Sequence, residues 1–258
     1  MPAYGDLADV YDLLHRNKPY AREARAVRAL AQRYARRPLR SLLDVACGSG
    51  RHLQAFARWF DCAGVDASRQ MLSRARRRAP GARLALGRME SFRLDRRFDV
   101  VTCLFSTVGY AGSVATLRRV VANLGRHTAP GGVVVVEPWL SPSNYRPGLV
   151  RADVAEHGGL TVARMTESVR RRGRSVFTFH HLVGRNGRVR YFVERHDLGL
   201  YDRPTMLAAF RDAGLRPTYL ARGLSTHRGL YVALRPPESP GRRRDGPTPG
   251  RSRWPSGS

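Results

Sequence analysis

Two acidic residues and two glycines stand at a spacing that suits a nucleotide-like ligand. Asp44 lies in a short apolar run, Gly48 and Gly50 follow it, and Asp66 ends the next apolar run. A glycine has no Cβ, so a ligand can lie against the outward N–H groups of such a turn. A carboxylate at the end of the second run can accept hydrogen bonds from both hydroxyls of a ribose. These four residues therefore predict a site for a cofactor that contains a ribose.

The same spacing argues against two other nucleotide sites. A dinucleotide site has a third glycine three residues after the second, and Leu53 occupies that position. The phosphate-binding string G-x-x-x-x-G-K-[ST] does not occur in the chain. The order D-x-x-x-G-x-G…D instead resembles the class I methyltransferases, whose cofactor is S-adenosylmethionine.

Hydrophobic periodicity predicts the elements that position these residues. Residues 40–46 form an apolar run that predicts a buried strand, and residues 51–59 carry a helical pattern. Strand and helix patterns alternate five times up to residues 133–138, which predicts a doubly wound α/β sheet. The resemblance implies a seven-stranded, Rossmann-like methyltransferase fold. In such sheets ligands bind beyond the carboxyl ends of the strands.

The pattern changes after the fifth strand. Alternating residues and the hairpin signal Asn186-Gly187 predict a small antiparallel insert of three strands, at 161–168, 176–183 and 189–198. We interpret this insert as a substrate lid or a dimer surface. The predicted parts of the chain are an N-terminal helical cap, a cofactor-binding core, the insert, a C-terminal helix with the last strands, and a disordered tail (1–38, 39–139, 140–202, 203–235 and 236–258).

Composition narrows the class of protein. A chain of 258 residues that is 42% apolar can bury a substantial core. It has no apolar run long enough to span a bilayer, and its start lacks a signal-peptide pattern. Cys47, Cys62 and Cys103 lie on or beside predicted buried strands and lack the spacing of metal ligands. We therefore predict a cytoplasmic protein with reduced thiols, no metal site and no membrane association.

The net charge of +26 does not by itself predict nucleic-acid binding. Lys18 is the only lysine among 46 basic residues, and the arginines are scattered without interleaved aromatic residues. The string N/D-P-P-[YF], which would suit a flipped base, is missing. A basic surface still favours anionic small molecules such as nucleotides. We predict no nucleic-acid partner.

Longer strings carry a narrower resemblance. YDLLH, SLLDVACGSGRHL, FDVVTCLFSTVGY, PGGVVVVEPW and RGLYVAL resemble, in order and spacing, the TDP-aminosugar N,N-dimethyltransferases of macrolide biosynthesis. The likeness covers residues 4–234. It implies an enzyme, acting as a homodimer, that transfers methyl groups from S-adenosylmethionine to the amino group of a TDP-linked amino-deoxysugar. Transfer to an amine or hydroxyl of another small metabolite is the alternative.

The resemblance also implies which residues contact each ligand. Asp66 would bind the ribose, Met89 would lie at the adenine and Leu104 near the sulfonium. The full set of implied cofactor contacts is Tyr11, Ala46, Gly48, Gly50, Asp66, Met89 and Leu104. The implied substrate contacts are Tyr4, Tyr20, Tyr110, Trp139 and Arg228.

Each implied contact has a physical reason or a simpler alternative. Aromatic rings can hold a cationic sulfonium, and Arg228 can bind a phosphate through charge-assisted hydrogen bonds. Packing is the alternative role for Tyr11, Tyr20 and Trp139. Histidines on strands are more often structural than catalytic, and we predict that role for His180 and His196.

Tyr110 is the candidate for orienting the substrate amine and passing a proton to water. No Glu/His or Asp/His pair stands out in the sequence as a dedicated base. We therefore assign Tyr110 as the catalytic residue, with approach and alignment as its main contribution.

One departure from the family pattern concerns the adenine. The string Gly87-Arg-Met-Glu-Ser-Phe stands where the family has G-D-M-R-D-F, so Arg88 replaces an aspartate. An arginine cannot accept a hydrogen bond from the adenine amino group. Three alternatives follow: Glu90 accepts that bond, backbone carbonyls accept it, or cofactor affinity is weakened. Arg88 is also the only residue that hints at a separate alternative, a binding protein that has lost catalysis.

Overall fold

The computed structural model describes residues 4–224 and 228–238, with side chains from residue 8 onwards. Within this part the six α-helices are α1 Tyr4–Leu14, α2 Tyr20–Tyr34, α3 Arg51–Phe56, α4 Arg69–Arg78, α5 Val114–Arg126 and α6 Arg203–Asp212. A short 3-10 helix covers Thr107–Ala111. The strands are β1 Ser41–Val45, β2 Asp61–Asp66, β3 Arg83–Leu86, β4 Phe98–Cys103, β5 Thr128–Val136, β6 Val150–His157, β7 Leu160–Arg171, β8 Arg174–Arg185, β9 Arg188–Gly199, β10 Arg216–Leu220 and β11 Leu230–Leu234.

Seven of the strands form one mixed sheet in the order β10-β11-β5-β4-β1-β2-β3. The five strands β5, β4, β1, β2 and β3 run parallel to one another. Strand β11 runs antiparallel to β5, and β10, which is antiparallel to β11, runs in the same direction as the five. The carboxyl ends of β1 and β4 therefore meet near the point where the strand order reverses. This architecture confirms the predicted doubly wound α/β methyltransferase fold.

Two apolar layers hold the helices on the sheet. Alternate residues of each strand point to opposite faces, so that Leu42 and Val100 belong to one layer while Leu43 and Val101 belong to the other. Helices α2, α3 and α4 cover the first face, and α5 and α6 cover the second. Both faces are buried, as the continuous apolar runs of these strands predict.

The fifth strand begins earlier than its apolar run indicates. It starts at Thr128, which pairs with Phe98, although residues 130–132 read as a turn in the sequence. Gly131 has a φ of +77°, and the register between β4 and β5 shifts at this point. The Pro-Gly-Gly string thus makes an irregularity within the strand instead of ending it.

The insert is a four-stranded antiparallel sheet in the order β6-β7-β8-β9, so the prediction of three strands was one too few. The missing strand is β6, an edge strand whose inward side chains include Arg151 and Asp153. Its apolar alternation is short, at Val150, Ala152 and Val154, and faces outward, while its inward face carries charged side chains, so periodicity does not mark it as a buried strand. Of the predicted disordered tail, only residues 236–238 are described, and the remainder lies outside the described part of the chain.

Candidate active site

The glycine turn after β1 takes a backbone conformation that side chains rarely allow. Ala46, Gly48 and Gly50 all have positive φ, at +58°, +56° and +80°. A Cβ on Gly50 would lie 2.9 Å from the Cα and Cβ of Ala75 on α4, whereas a Cβ on Gly48 would meet nothing within 4 Å. Gly50 therefore allows α3 and α4 to pack closely, and Gly48 leaves space above the turn.

Asp66 at the end of β2 is fixed beside this turn. Its two carboxylate oxygens accept hydrogen bonds from the backbone N–H groups of Gly48 and Ser68, each at 2.8 Å. Burial raises the pKa of Asp66, and these two bonds oppose that rise without cancelling it. The carboxylate is thus held rigidly at the position where the sequence predicts a ribose acceptor.

A cleft opens over the turn at the carboxyl ends of β1 and β4. It encloses about 390 Å³ including its open mouth. The cleft is lined by Tyr11, Tyr20, Asp44, Ala46, Cys47, Gly48, Ser49, Arg51, His52, Leu104, Phe105 and Thr107. Five residues predicted to bind cofactor or substrate are in this set, namely Tyr11, Tyr20, Ala46, Gly48 and Leu104.

Aromatic rings form one wall of the cleft. The rings of Tyr11 and Phe105 lie 6.4 Å apart, edge to face, and His15 packs between them at 4.6 and 5.0 Å. The Tyr20 ring packs on His52 at 4.9 Å, and its buried hydroxyl has no hydrogen-bond partner among the described residues. Burial raises the pKa of Tyr11 well above its usual value, so its hydroxyl stays protonated at neutral pH.

Helix α1 is tied to the glycine turn through Asp12, which is buried. Its Oδ1 accepts hydrogen bonds from Ser49 Oγ at 2.7 Å and from Arg51 Nε at 3.1 Å. Its Oδ2 accepts from Arg78 on α4 at 2.7 Å. These bonds lower the pKa of Asp12 although burial raises it. The network holds α1, and with it Tyr11, over the cleft.

The turn after β4 is a second strained loop at the same edge of the sheet. Phe105 and Ser106 have φ values of +54° and +63°. The N–H of Phe105 donates to Oε2 of the buried Glu137 at 2.8 Å. Arg228 donates from Nη1 to Ser106 Oγ at 2.7 Å, and its guanidinium lies 4.3 Å from the centre of the Trp139 ring. Arg228 and Trp139 thus form a unit beside the cleft.

Tyr110 lies on the 3-10 helix three residues beyond the cleft residue Thr107, with 48% of its surface exposed. Its hydroxyl is 2.6 Å from Nδ1 of His196 on β9. Desolvation raises the pKa of Tyr110 to about 12. The four-stranded sheet therefore supplies His196 as a direct hydrogen-bond partner of Tyr110. The sequence predicts only a structural role for this histidine.

The loop after β3 carries the predicted adenine contact. Met89 is partly buried, and its carbonyl accepts a hydrogen bond from Asn123 of α5 at 3.1 Å. Arg88 turns outward, with 75% of its side chain exposed, and donates to Glu90 at 2.6 Å. Burial opposes ionisation of Glu90, but Arg88 outweighs it and lowers the pKa. Glu90 therefore keeps an ionised carboxylate in the loop where the family has its aspartate.

The remaining predicted residues have clear positions. Trp139 packs against Phe177 at 5.2 Å, which supports the packing role considered for it. The side chain of Tyr4 lies outside the described part of the chain, so its substrate contact stays a prediction. The ligand roles of the other site residues also stay predictions.

Several cleft residues were missed by the sequence reasoning. Ser49, Arg51 and His52 belong to the string that carries the glycine turn, so their proximity to the ligand could have been expected. Phe105 and Thr107 follow β4 directly, as residues at a carboxyl end of a parallel strand do. Asp12 does not line the cleft but fixes α1 beside it. No sequence pattern marks this role, because its partners Ser49 and Arg78 are distant in the chain.

Three features of the cleft and its edge suit S-adenosylmethionine. The glycine turn is open to backbone contacts, Asp66 holds a fixed carboxylate beside it, and the rings of Tyr11 and Phe105 line the cleft, where they can face a cation. Over residues 4–224 and 228–238, no group of three His, Cys, Asp or Glu side chains could hold a metal ion. No helix in that part of the chain is long and apolar enough to cross a membrane.

Comparison with known proteins identifies the family. A methyltransferase domain matches residues 42–132. The dTDP-3-amino-3,4,6-trideoxy-alpha-D-glucopyranose N,N-dimethyltransferase of Streptomyces venezuelae is 45% identical over 234 residues, which cover 89% of this chain and 98% of that enzyme.

Solved structures agree. The crystal structure of Streptomyces venezuelae DesVI has a TM-score of 0.84 and 44% identity, covering 90% of this chain and 98% of that chain. S-adenosylmethionine-bound CalS10, an amino pentose methyltransferase from Micromonospora echinaspora, has a TM-score of 0.79 and 39% identity, covering 88% and 96%. The chain is therefore an S-adenosylmethionine-dependent methyltransferase that belongs to the family of the dTDP-aminosugar N,N-dimethyltransferases.

Proposed function

We propose that the chain methylates the amino group of a dTDP-linked amino-deoxysugar twice, in the biosynthesis of a secondary metabolite. The observation that carries this proposal is the extent of the similarity, which covers 89% of the chain and includes the four-stranded sheet as well as the cofactor-binding core. That sheet contacts Tyr110 through His196, so the similarity extends to the residue predicted to orient the substrate amine.

Residues of the core would hold the cofactor. Asp66 would accept hydrogen bonds from the ribose hydroxyls, the turn of Gly48 would contact the amino-acid part, and Leu104 would contact the methyl-bearing part of the cofactor. Met89 and Glu90 flank the adenine, with Glu90 in the place of the family's aspartate as acceptor. When bound, S-adenosylmethionine supplies an activated methyl group on a sulfonium.

Other residues would bind and orient the sugar nucleotide. Arg228 offers five N–H donors in a fixed fork, and stacking on Trp139 orients that fork for a phosphate. Burial lowers the pKa of Arg228 and Glu137 raises it, yet a guanidinium stays charged at neutral pH. Tyr20 brings to the cleft a hydroxyl that has no hydrogen-bond partner within residues 4–224 and 228–238. Tyr110 orients the amine nitrogen toward the methyl group, and the proton leaves to water.

We further propose a cytoplasmic homodimer. The three free cysteines are buried, which supports a reducing compartment. The outer face of the four-stranded sheet supports a second copy of the chain as partner. Seven large apolar side chains on that face are 48–74% exposed, namely Val150, Val154, Met165, Leu182, Val189, Tyr191 and Val193. An apolar sheet face is self-complementary across a two-fold axis.

The test is calorimetric titration with S-adenosylmethionine, followed by a dTDP-3-amino-deoxysugar and, in a parallel cell, dTDP-glucose. Of the two sugar nucleotides, we expect only the aminosugar nucleotide to give heat. We also expect its product to be heavier by two methyl groups. Asp66→Asn should weaken cofactor binding roughly 10- to 100-fold, since a charged acceptor is lost. Asp61→Asn, at the exposed start of the same strand, is the matched control and should bind normally.

The outcomes separate the parts of the proposal. Cofactor binding without any response to the aminosugar nucleotide would reject the substrate and favour another small metabolite. Absence of cofactor binding by the wild-type chain would implicate Arg88 and indicate a protein without catalysis. Equal weakening by Asp66→Asn and Asp61→Asn would reject the ribose role of Asp66.

A further inference from the structure

A short hydrogen bond connects the reaction centre to the four-stranded sheet. The Oη of Tyr110 lies 2.6 Å from Nδ1 of His196, and the two rings meet at 65° with their centres 5.9 Å apart. The residues are 86 positions apart in the chain. His196 lies on the inner face of β9, the same face as Phe179 and Glu194, because its register partner is Phe177. The sheet therefore places this imidazole against the phenol.

The surroundings of His196 favour the neutral ring. Its Nε2 is buried without a hydrogen-bond partner among the described residues, and the Phe179 ring packs on it at 4.7 Å. Burial lowers the pKa of His196, and Glu194, which raises it, does not compensate. His181 and Arg164 also disfavour a positive charge there. At neutral pH one ring nitrogen is therefore a bare acceptor.

We propose that His196 is a positioning residue, whose Nδ1 accepts the hydroxyl proton of Tyr110 and thereby turns the lone pairs of Tyr110 Oη toward the substrate amine. This inference rests on the proposed function. A free phenol can rotate its O–H and either donate to the amine or accept from it. With the proton committed to His196, Oη acts as an acceptor for an amine N–H. The nitrogen lone pair, which must attack, then stays unblocked.

This arrangement also sets how many methyl groups are added. The neutral amine forms an N–C bond with the methyl carbon, the C–S bonding pair leaves with sulfur, and one N–H proton of the resulting ammonium departs to water. A primary amine and a secondary amine both retain an N–H that Tyr110 can hold. A tertiary amine has none, so it is no longer oriented and transfer stops after two methyl groups.

The chain contains a matched control pair. His180 Nδ1 on β8 lies 2.7 Å from the hydroxyl of Tyr191 on β9, on the outer face of the same sheet. His180→Leu removes a comparable His–Tyr contact far from Tyr110. It reports any loss that comes only from weakening the sheet.

The experiment is a double-mutant cycle of His196→Leu and Tyr110→Phe, with His180→Leu alongside. We measure kcat for the first and second methyl transfer, KM for both substrates and thermal unfolding. Each single substitution should lower kcat about tenfold, as one hydrogen bond of roughly 1.4 kcal/mol does, with the KM for S-adenosylmethionine unchanged. The double variant should be no slower than Tyr110→Phe. The monomethyl product should accumulate with His196→Leu, because the secondary amine has a single N–H.

Two isosteric variants guard against a folding defect. The amide oxygen of His196→Asn approximates the position of Nδ1, whereas that of His196→Gln approximates Nε2. We expect His196→Asn to keep most of the activity and His196→Gln to fall to the level of His196→Leu.

Three results would overturn the inference. Losses that multiply to about a hundredfold in the double variant would mean that His196 does not act through Tyr110. An equal loss with His180→Leu, or equal activity of His196→Asn and His196→Gln, would assign the effect to the sheet. If the wild-type chain methylates no aminosugar nucleotide, both the proposed function and the role of His196 are rejected. If it does so and the cycle is additive, only the role of His196 fails.

Discussion

Asp44 shows how a single side chain joins fold and site. It lies on β1 with 2% of its surface exposed, accepts a hydrogen bond from Thr102 Oγ1 at 2.7 Å and lines the cleft. Burial raises its pKa to about 6, although His52 and Thr102 oppose the rise. Ionised Asp44 therefore lowers the free energy of unfolding at neutral pH, at a position on β1 that lines the cleft.

This cost predicts a specific pH dependence. The pKa of Asp44 is higher in the folded than in the unfolded chain, so its contribution to the free energy of unfolding falls as pH rises from about 4 to about 6. Asp44→Asn lacks this titration. Its free energy of unfolding relative to wild type should therefore increase by about 2 kcal/mol between pH 4 and pH 7. Urea unfolding of both proteins at pH 4 and pH 7 measures the difference, in which the titrations of groups remote from Asp44 cancel. A difference independent of pH would contradict the assignment.

At the scale of elements, the turn between β1 and α3 serves two purposes with two glycines. Gly50 brings its backbone against Ala75 of α4, and Gly48 faces open space in the cleft. The same turn receives α1 through Ser49 and Asp12. Gly50 and Ser49 therefore serve the packing of α1, α3 and α4, whereas Gly48 keeps the cleft open for a ligand.

Alanine substitutions should separate the two requirements. Gly50→Ala combines a positive φ with a contact of 2.9 Å, and we expect the free energy of unfolding to fall by about 2–3 kcal/mol. Gly48→Ala meets no atom within 4 Å, so only the backbone conformation costs about 1 kcal/mol, while its methyl group obstructs the cofactor. Denaturant unfolding and titration with S-adenosylmethionine check both. Equal losses of stability would show that Ala75 is not the limiting contact.

For the whole molecule, the four-stranded sheet has two faces with different neighbours. Val10 and Leu13 of α1 pack against Leu160, Val162 and Val183 on its inner face. Tyr110 contacts the same face. The outer face keeps its apolar side chains exposed. The sheet can thus complete the site on one side and bind a second copy on the other.

A charge on the outer face tests the assembly. In sedimentation the wild-type protein should have about twice the 28.9 kDa mass of one chain. Leu182→Glu should sediment as a monomer, because two glutamates would face each other across the two-fold axis of the dimer and repel. Leu182 is half exposed, so stability of the single chain should change little. Val114→Glu, at an exposed apolar residue on α5, is the control and should stay dimeric. A monomeric wild type would contradict the proposed dimer.

Local patterns in the sequence determined most of the fold. Residues of β1 carry their apolar pattern within a few positions, so the predicted bounds 40–46 lie within one residue of the observed Ser41–Val45. The glycine turn with Asp66 was likewise predictable, because strand ends in a parallel sheet meet at one edge. Strand β6 was missed because its inward positions include Arg151 and Asp153, which are charged and not apolar.

Only the tertiary structure decided which distant residues meet. Asp12 reaches Arg78 across 66 positions, and Tyr110 reaches His196 across 86. Such pairs depend on how the second sheet and α1 dock on the core, and no local period encodes that docking. A histidine on a strand has the same pattern on either face, as His180 and His196 show. The sequence therefore determined the elements and the cofactor turn, whereas tertiary packing decided which histidine supports the tyrosine.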